Sequence, residues 1–221
     1  MKNYSSRCKV DKKVTAILLR SSDYKDNDKK IELYSVEEGV MRVTAKGVRK
    51  KDAKLKFACQ PFAFCVYELA EKNGNYTLTG ATSVEDMFSL TSDFTAYACA
   101  GAAAECMSVS GTSLDSQDAF LVFLKTLKAL LFSRADKRLI TAKFVQKIIS
   151  MSGFDVTRAI SHDEPSTVRG LKSLIATKYL DELDSVTAPA SICKRAAISE
   201  LKRFERIYEA KLNSVKLVES T

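Results

Sequence analysis

Between about residues 12 and 82, apolar positions come in short runs with the spacing of strands. Lys13-Val-Thr-Ala-Ile-Leu-Leu-Arg20 is rich in apolar and β-branched residues, and Lys30-Ile-Glu-Leu-Tyr-Ser-Val36 alternates with a period of two. Glu37-Glu38-Gly39 supplies a turn, and Val40 to Ala45 returns as a third strand. Phe57 to Leu69 and Tyr76 to Thr82 read as two more, joined by the turn Lys72-Asn-Gly-Asn75. Five strands in about 70 residues suit a small barrel, of which the five-stranded Greek-key barrel with oligonucleotide-binding loops is the best-known form.

From about residue 84 the period becomes helical. Phe94 to Val109 is Ala-rich. Ser116 is placed to cap a helix carrying Phe120, Phe123, Leu127 and Leu130, and Asp136 to cap the next, which runs through Ile140, Phe144 and Ile148 to a stop at Gly153. After the polar connection Ser161 to Ser166, Ser166 or Thr167 opens a helix with Leu171, Leu174 and Ile175. Pro189 then precedes a long last helix through Leu201, Phe204, Ile207 and Leu212. Strands followed by helices predict an α+β chain of two domains: an OB-fold barrel over residues 1–82 and an α-helical domain over 83–221.

Charge sharpens this picture. The chain of 221 residues has 35 Lys and Arg against 27 Asp and Glu, a net charge of +8. Residues 1–56 hold 16 basic and 8 acidic residues, so the whole excess lies in the strand-rich part. It peaks at Lys46-Gly-Val-Arg-Lys-Lys-Asp-Ala-Lys-Leu-Lys56, with six basic residues and one acidic. Such a patch beside a neutral body is the footprint of a polyanion-binding surface, or else a solvated loop that keeps the chain soluble. On the first reading Lys46, Arg49, Lys50, Lys51, Lys54 and Lys56 reach phosphates without reading bases, and Arg20 and Arg42 extend the track along the strands. Tyr24 and Tyr34 are the nearest candidates for base stacking, with core packing the competing account of Tyr34.

Other chemistries lack residues. The six cysteines, Cys8, Cys59, Cys65, Cys99, Cys106 and Cys193, include no C-x-x-C pair, and read as buried free thiols of a reducing compartment. Cys59 and Cys65 are expected to share a strand face. The single histidine, His162, lies in a charged connection with no cluster of metal ligands near it; a triad is possible on composition, with Asp163 beside it, but no G-x-S-x-G elbow accompanies it, and it reads as a surface residue. No nucleotide-binding glycine motif occurs, and Asp23, Asp26 and Asp28 have the wrong spacing for a calcium loop. The start of the chain is polar and no apolar run reaches membrane-spanning length, so a cytoplasmic protein without a membrane partner is expected.

The run Ala16-Ile-Leu-Leu-Arg20, then Asp23-Tyr24, Leu33-Tyr34-Ser35, Glu38-Gly39, Ala45-Lys46-Gly47, Arg49-Lys50 and Gln60-Pro61-Phe62, resembles the RecO recombination mediator family in order and in register. The last helix, ending Lys211 to Leu217, resembles that family's more weakly, and the middle of the chain matches mainly in being helical. The resemblance implies an OB-fold barrel followed by helices, and function without bond-making chemistry or cofactors. Such proteins bind single- and double-stranded DNA, anneal complementary strands, contact the C-terminal tail of single-stranded DNA-binding protein (SSB), and work with RecR to load RecA. The implied setting is the bacterial cytoplasm, at the nucleoid. Many relatives carry a four-cysteine zinc ribbon in the helical half; Phe154 to Val168 holds no cysteine here, so no metal is expected. The alternative from another class is an RNA-binding or protein-interaction module on the same barrel.

Overall fold

The computed structural model of the protein describes residues 12–155 and 164–221; Cys8 and His162 lie outside them. Strands β1 (Lys12–Tyr24), β2 (Asp28–Ser35), β3 (Gly39–Ala45), β4 (Phe64–Lys72) and β5 (Asn75–Glu85) form a closed barrel in the order β1-β2-β3-β5-β4. Neighbours are antiparallel except β3 and β5, which run parallel with Val43 opposite Tyr76 and Thr44 opposite Thr77. This is an OB-fold barrel, within an α+β chain. The two-residue period of the strands fills it, sending Val14, Ala16 and Leu18 of β1, Ile31 and Leu33 of β2, and Met41 and Val43 of β3 into one core.

The fourth strand starts later than the apolar run predicts. Phe57–Cys59 is a 3-10 turn, and a β-turn follows in which the Ala63 amide donates to the Gln60 carbonyl at 3.1 Å. Pro61 takes its second position and Phe62 its third, at φ 60°. That left-handed position normally goes to Gly or Asn; here the ring of Phe62 is buried, which offsets the backbone cost. The hydroxyl of Tyr67 on β4 donates to the carbonyls of Ala58 and Ala63, at 3.0 and 3.1 Å, and holds the whole segment against the barrel. Cys59 therefore enters the barrel core from this turn and Cys65 from β4, not from one strand face.

The expected boundary at residue 82 falls inside β5. The chain divides instead into compact units ending at Phe88 and beginning at Ser89. The second unit contains α1 (Phe94–Ser110), α2 (Ser116–Phe132), α3 (Lys137–Met151), α4 (Ser166–Thr177), α5 (Ala190–Ile207) and α6 (Ser214–Glu219). Asp93, Asp115 and Asp136 cap the first three, each carboxylate accepting from a backbone amide of the first turn. Ser116 is thus the first helical residue and Asp115 the cap. The long last helix also breaks earlier than predicted: it stops at Ile207, Glu209 turns left-handed at φ 49°, and the Leu212 amide donates to the Glu205 carboxylate at 2.8 Å before α6 begins.

α3 is buried on nearly all sides, through Leu139, Ile140, Phe144, Val145, Ile148 and Ile149. Beside it lies a buried ionic cluster. The Lys172 ammonium is 3.0 and 3.1 Å from the Glu164 carboxylate oxygens, 2.7 Å from Ser199 Oγ and 3.3 Å from Glu200 Oε1. Glu200 is itself fully buried, accepts from Gln146 Nε2 at 3.2 Å, and has Arg203 Nη1 at 3.6 Å.

The five described cysteines, Cys59, Cys65, Cys99, Cys106 and Cys193, are free and buried. Burial pushes the Cys59 and Cys193 thiols up to about 11 and Cys99 to about 12. Because the thiolate is the reactive form, these five are expected to resist iodoacetamide at neutral pH until the chain is unfolded. Mass spectrometry after native and denatured labelling checks this; native labelling at the denatured rate would contradict it. In the unfolded chain these groups ionise near 9.0, below their folded values. The unfolded state therefore releases protons first as pH rises, and stability falls from about pH 9 upward.

Candidate nucleic-acid interface

The basic segment leaves β3 through a turn at Gly47, at φ 69°, whose amide donates to Asp28 Oδ1 at 2.8 Å. Successive short turns follow, with Lys50, Ala53 and Lys56 amides donating to the carbonyls of Gly47, Lys50 and Ala53. Val48 is buried in the barrel core and Leu55 packs against it. These two apolar side chains fix the loop from below, so Lys46, Lys50, Lys51, Lys54 and Lys56 are all exposed on its outer side. The geometry is a pinned backbone presenting exposed cationic heads, which suits phosphate contact at close range.

Arg49 is also exposed but differs from its neighbours. Its guanidinium donates to the carbonyls of Lys25 and Asp26, both at 3.2 Å, and pairs with Asp23 at 3.1 Å. Its amide donates to the Asn27 carbonyl at 3.0 Å. The residue ties the loop to the tip of the β1–β2 hairpin and so brings a second basic group to the same place. There Tyr24 is 39% exposed, with the ammonium groups of Lys30 and Lys25 at 4.8 and 5.3 Å from its ring centroid. Lys25, Lys29 and Lys30 are not among the phosphate-contacting residues that the charge pattern of the loop picks out. The hairpin register, with Tyr24 opposite Asp28 and Asp23 opposite Lys29, is the signal that places them beside the loop.

Arg20 and Arg42 lie on β1 and β3 on either side of Glu32 of β2, in direct register with it. Arg20 Nη2 and Arg42 Nε are 2.9 and 3.3 Å from Glu32 Oε2. Glu32 is 4% exposed while both arginines are open to solvent, so this row carries one net positive charge rather than two. Tyr34 requires a correction as a stacking residue: it is fully buried, with no ring face open to a base. Its place in an alternating strand, flanked by Leu33 and Ser35 that are also buried, decides for packing.

Among the described residues, no three His, Cys, Asp or Glu side chains come together as a metal site would require. No described helix is long and apolar enough to cross a membrane. On the helical unit, α5 borders an open groove of about 660 Å³, where Arg195, Lys202 and Arg206 surround Ile198, with Glu164 and Glu205 nearby. Three basic side chains and two carboxylates thus share its lining.

Comparison with known proteins finds similarity over part of the chain. Residues 10–87 match the family described as recombination protein O N terminal. The DNA repair protein RecO of Clostridium novyi (strain NT) is 25% identical over 143 residues, 64% of this chain and 56% of that protein. The DNA repair protein RecO of Shouchella clausii (strain KSM-K16) is 34% identical over 89 residues, 39% of this chain and 35% of that protein. That of Anaeromyxobacter sp. (strain K) is 32% identical over 95 residues, 42% of this chain and 37% of that protein. The chain thus spans from about a third to a little over half of the length of the relatives it matches.

Proposed function

We propose, for a chain that belongs to the RecO family through its N-terminal domain, that it is a non-enzymatic DNA-binding mediator of recombinational repair. It binds single- and double-stranded DNA, anneals complementary strands, and with RecR helps load RecA onto DNA coated with SSB, whose C-terminal tail it contacts. The observation that carries this reading is the joined surface of loop and hairpin: exposed Lys46, Lys50, Lys51 and Lys54 beside Tyr24, Lys25 and Lys30, on an OB-fold barrel. Cationic heads held around an exposed ring suit a flexible polyanion with unpaired bases. Such a surface neutralises both strands of a nascent duplex, which is what annealing needs physically, because phosphate repulsion opposes the approach of complementary strands. Two supports for the SSB contact are the family membership and the three basic side chains lining the α5 groove, Arg195, Lys202 and Arg206.

Strand annealing tests the reading. Complementary oligonucleotides, one labelled as donor and one as acceptor, should anneal faster with the protein than without it, both bare and coated with SSB. Absence of acceleration on bare strands would count against the mediator role. Phosphate contacts do not distinguish sugar type, so affinity for RNA of the same sequence, measured across a salt series, separates the RNA-binding alternative. Tighter binding to RNA at every salt concentration would favour that alternative.

A further inference from the structure

The barrel unit carries an open cleft of about 590 Å³ where the 3-10 turn, the start of β4 and the end of β5 meet. Its walls include Phe57, Phe64 and Phe88, and Lys56, Glu85 and Asp86 line it as well. Phe57 and Phe88 are 42% and 51% exposed. The fold explains why Phe57 faces outward: Ala58 and Cys59 take the core positions of its turn, and the Gln60 amide donates to the Phe57 carbonyl at 3.1 Å. A large apolar ring is thereby held in water by a fixed backbone.

We propose that this cleft receives an unpaired nucleobase of single-stranded DNA, stacked against Phe57 and Phe88, with the adjoining phosphates on Lys54 and Lys56. The inference rests on the DNA-binding reading above and adds the place where an unpaired base is told from a paired one. Three observations converge on it. The cleft continues the basic loop without a break, since Phe57 follows Lys56 directly and both line it. Its volume lies within the roughly 300–1,000 Å³ of small-molecule sites, ample for a base. Its lining also suits a nucleotide: Lys56, which adjoins the basic loop, can pair with a phosphate, and Glu85 and Asp86 can accept from the N–H groups of a base. An acidic peptide would satisfy the lysine but meet Glu85 and Asp86, and is disfavoured. Burial of Tyr34 adds a further reason, because a single-strand groove needs aromatic platforms and the strand face does not provide that one.

The chain contains no tryptophan, so Phe57→Trp installs a single indole whose emission reports stacking directly. Titrated with an oligothymidylate, this full-length variant should lose emission in step with the anisotropy of the labelled strand. An abasic strand of equal length and a blunt duplex should bind with emission unchanged. Phe57→Ala and Phe88→Ala should each weaken oligothymidylate binding about 5- to 150-fold, the loss of one base stack, and leave duplex affinity and the salt slope unaltered. Phe57→Tyr should retain binding, which guards against a folding artefact. Binding of the strand to the Trp variant without any change in emission would overturn the proposal, as would equal losses on strand and duplex for Phe57→Ala. If neither strand nor duplex binds the unmodified protein, the DNA-binding reading itself fails and this one with it. If both bind and only the aromatic substitutions are silent, the cleft alone is wrong.

Discussion

Changing Lys50, Lys51 and Lys54 together to Ala is expected to weaken single-strand binding about a hundredfold at about 0.1 M salt. If the loop holds about four phosphates, the unmodified protein should show a log–log salt slope near −3. The triple variant should flatten this by about two, since each contact contributes about −0.7. Every sequence tested should lose affinity by a similar factor, because these groups reach phosphates and not base edges. Melting should be nearly unchanged, as exposed substitutions typically shift stability by less than about 0.5 kcal/mol each. Arg49 is kept in this variant: its guanidinium bridges to Lys25, Asp26 and Asp23, and its loss would disturb the surface as well as its charge. Fluorescence anisotropy over a salt series reads both quantities. A variant that melts normally and binds with the same affinity and slope would show that the loop only confers solubility.

A second large effect is expected far from the lysine loop in sequence. Lys172→Met should destabilise the helical unit by about 3 kcal/mol, the low end for breaking a buried ion pair, because it leaves the fully buried Glu200 carboxylate with only the more distant Arg203 guanidinium, at 3.6 Å. Glu164 is partly exposed and can turn to water; Glu200 cannot. The double variant Lys172→Met with Glu200→Gln should recover more than half of the loss. It restores the charge balance of the cluster, leaving Arg203 and Glu164 as one cation and one anion, and retains an amide oxygen for Gln146 Nε2, which now donates to Glu200 at 3.2 Å. Urea titrations followed by far-ultraviolet circular dichroism measure both. A loss under about 1 kcal/mol in the single variant would mean that Lys172 does not serve as the counter-charge.

The ease of reading each element from sequence depended on whether its determinants are local. Turns at Glu37-Glu38-Gly39 and Asn73-Gly74 and the cap at Asp136 announce themselves within a few residues, and the elements they bound stand close to where the pattern puts them. The run Phe57 to Leu69 conceals a turn because its left-handed residue is Phe62 rather than glycine, and burial of that ring is a tertiary fact. Glu209 hides the break before α6 in the same way. At the candidate interface, the lysines were legible as charge alone. The tether made by Arg49 joins residues 23 to 26 positions apart, and no local signal separates it from the lysines beside it. Tyr34 shows the limit of period-two reasoning. Alternation puts Ile31 and Leu33 inside the barrel but says nothing of whether the opposite face meets solvent, and here Tyr34 is buried too. Lys172 reads as one more polar residue of an amphipathic helix until Glu164, Ser199 and Glu200 arrive from elsewhere in the chain.

The ladders of the barrel are unequal in length. β2 and β3 pair along the whole of β3, whereas β3 and β5 are in register only at Val43 with Tyr76 and Thr44 with Thr77. That seam is where the closed ring has least to lose by parting. It joins strands separated by the entire basic loop and β4, so the chain connecting them does little to hold them together once apart. Transient fraying there is a local event of low free energy, and it leaves the β1–β2–β3 sheet paired. The amides of the seam should accordingly exchange with solvent deuterium well before those of Leu33 and Met41, marking a breathing line in the barrel that lies off the β1–β2 hairpin presenting Tyr24.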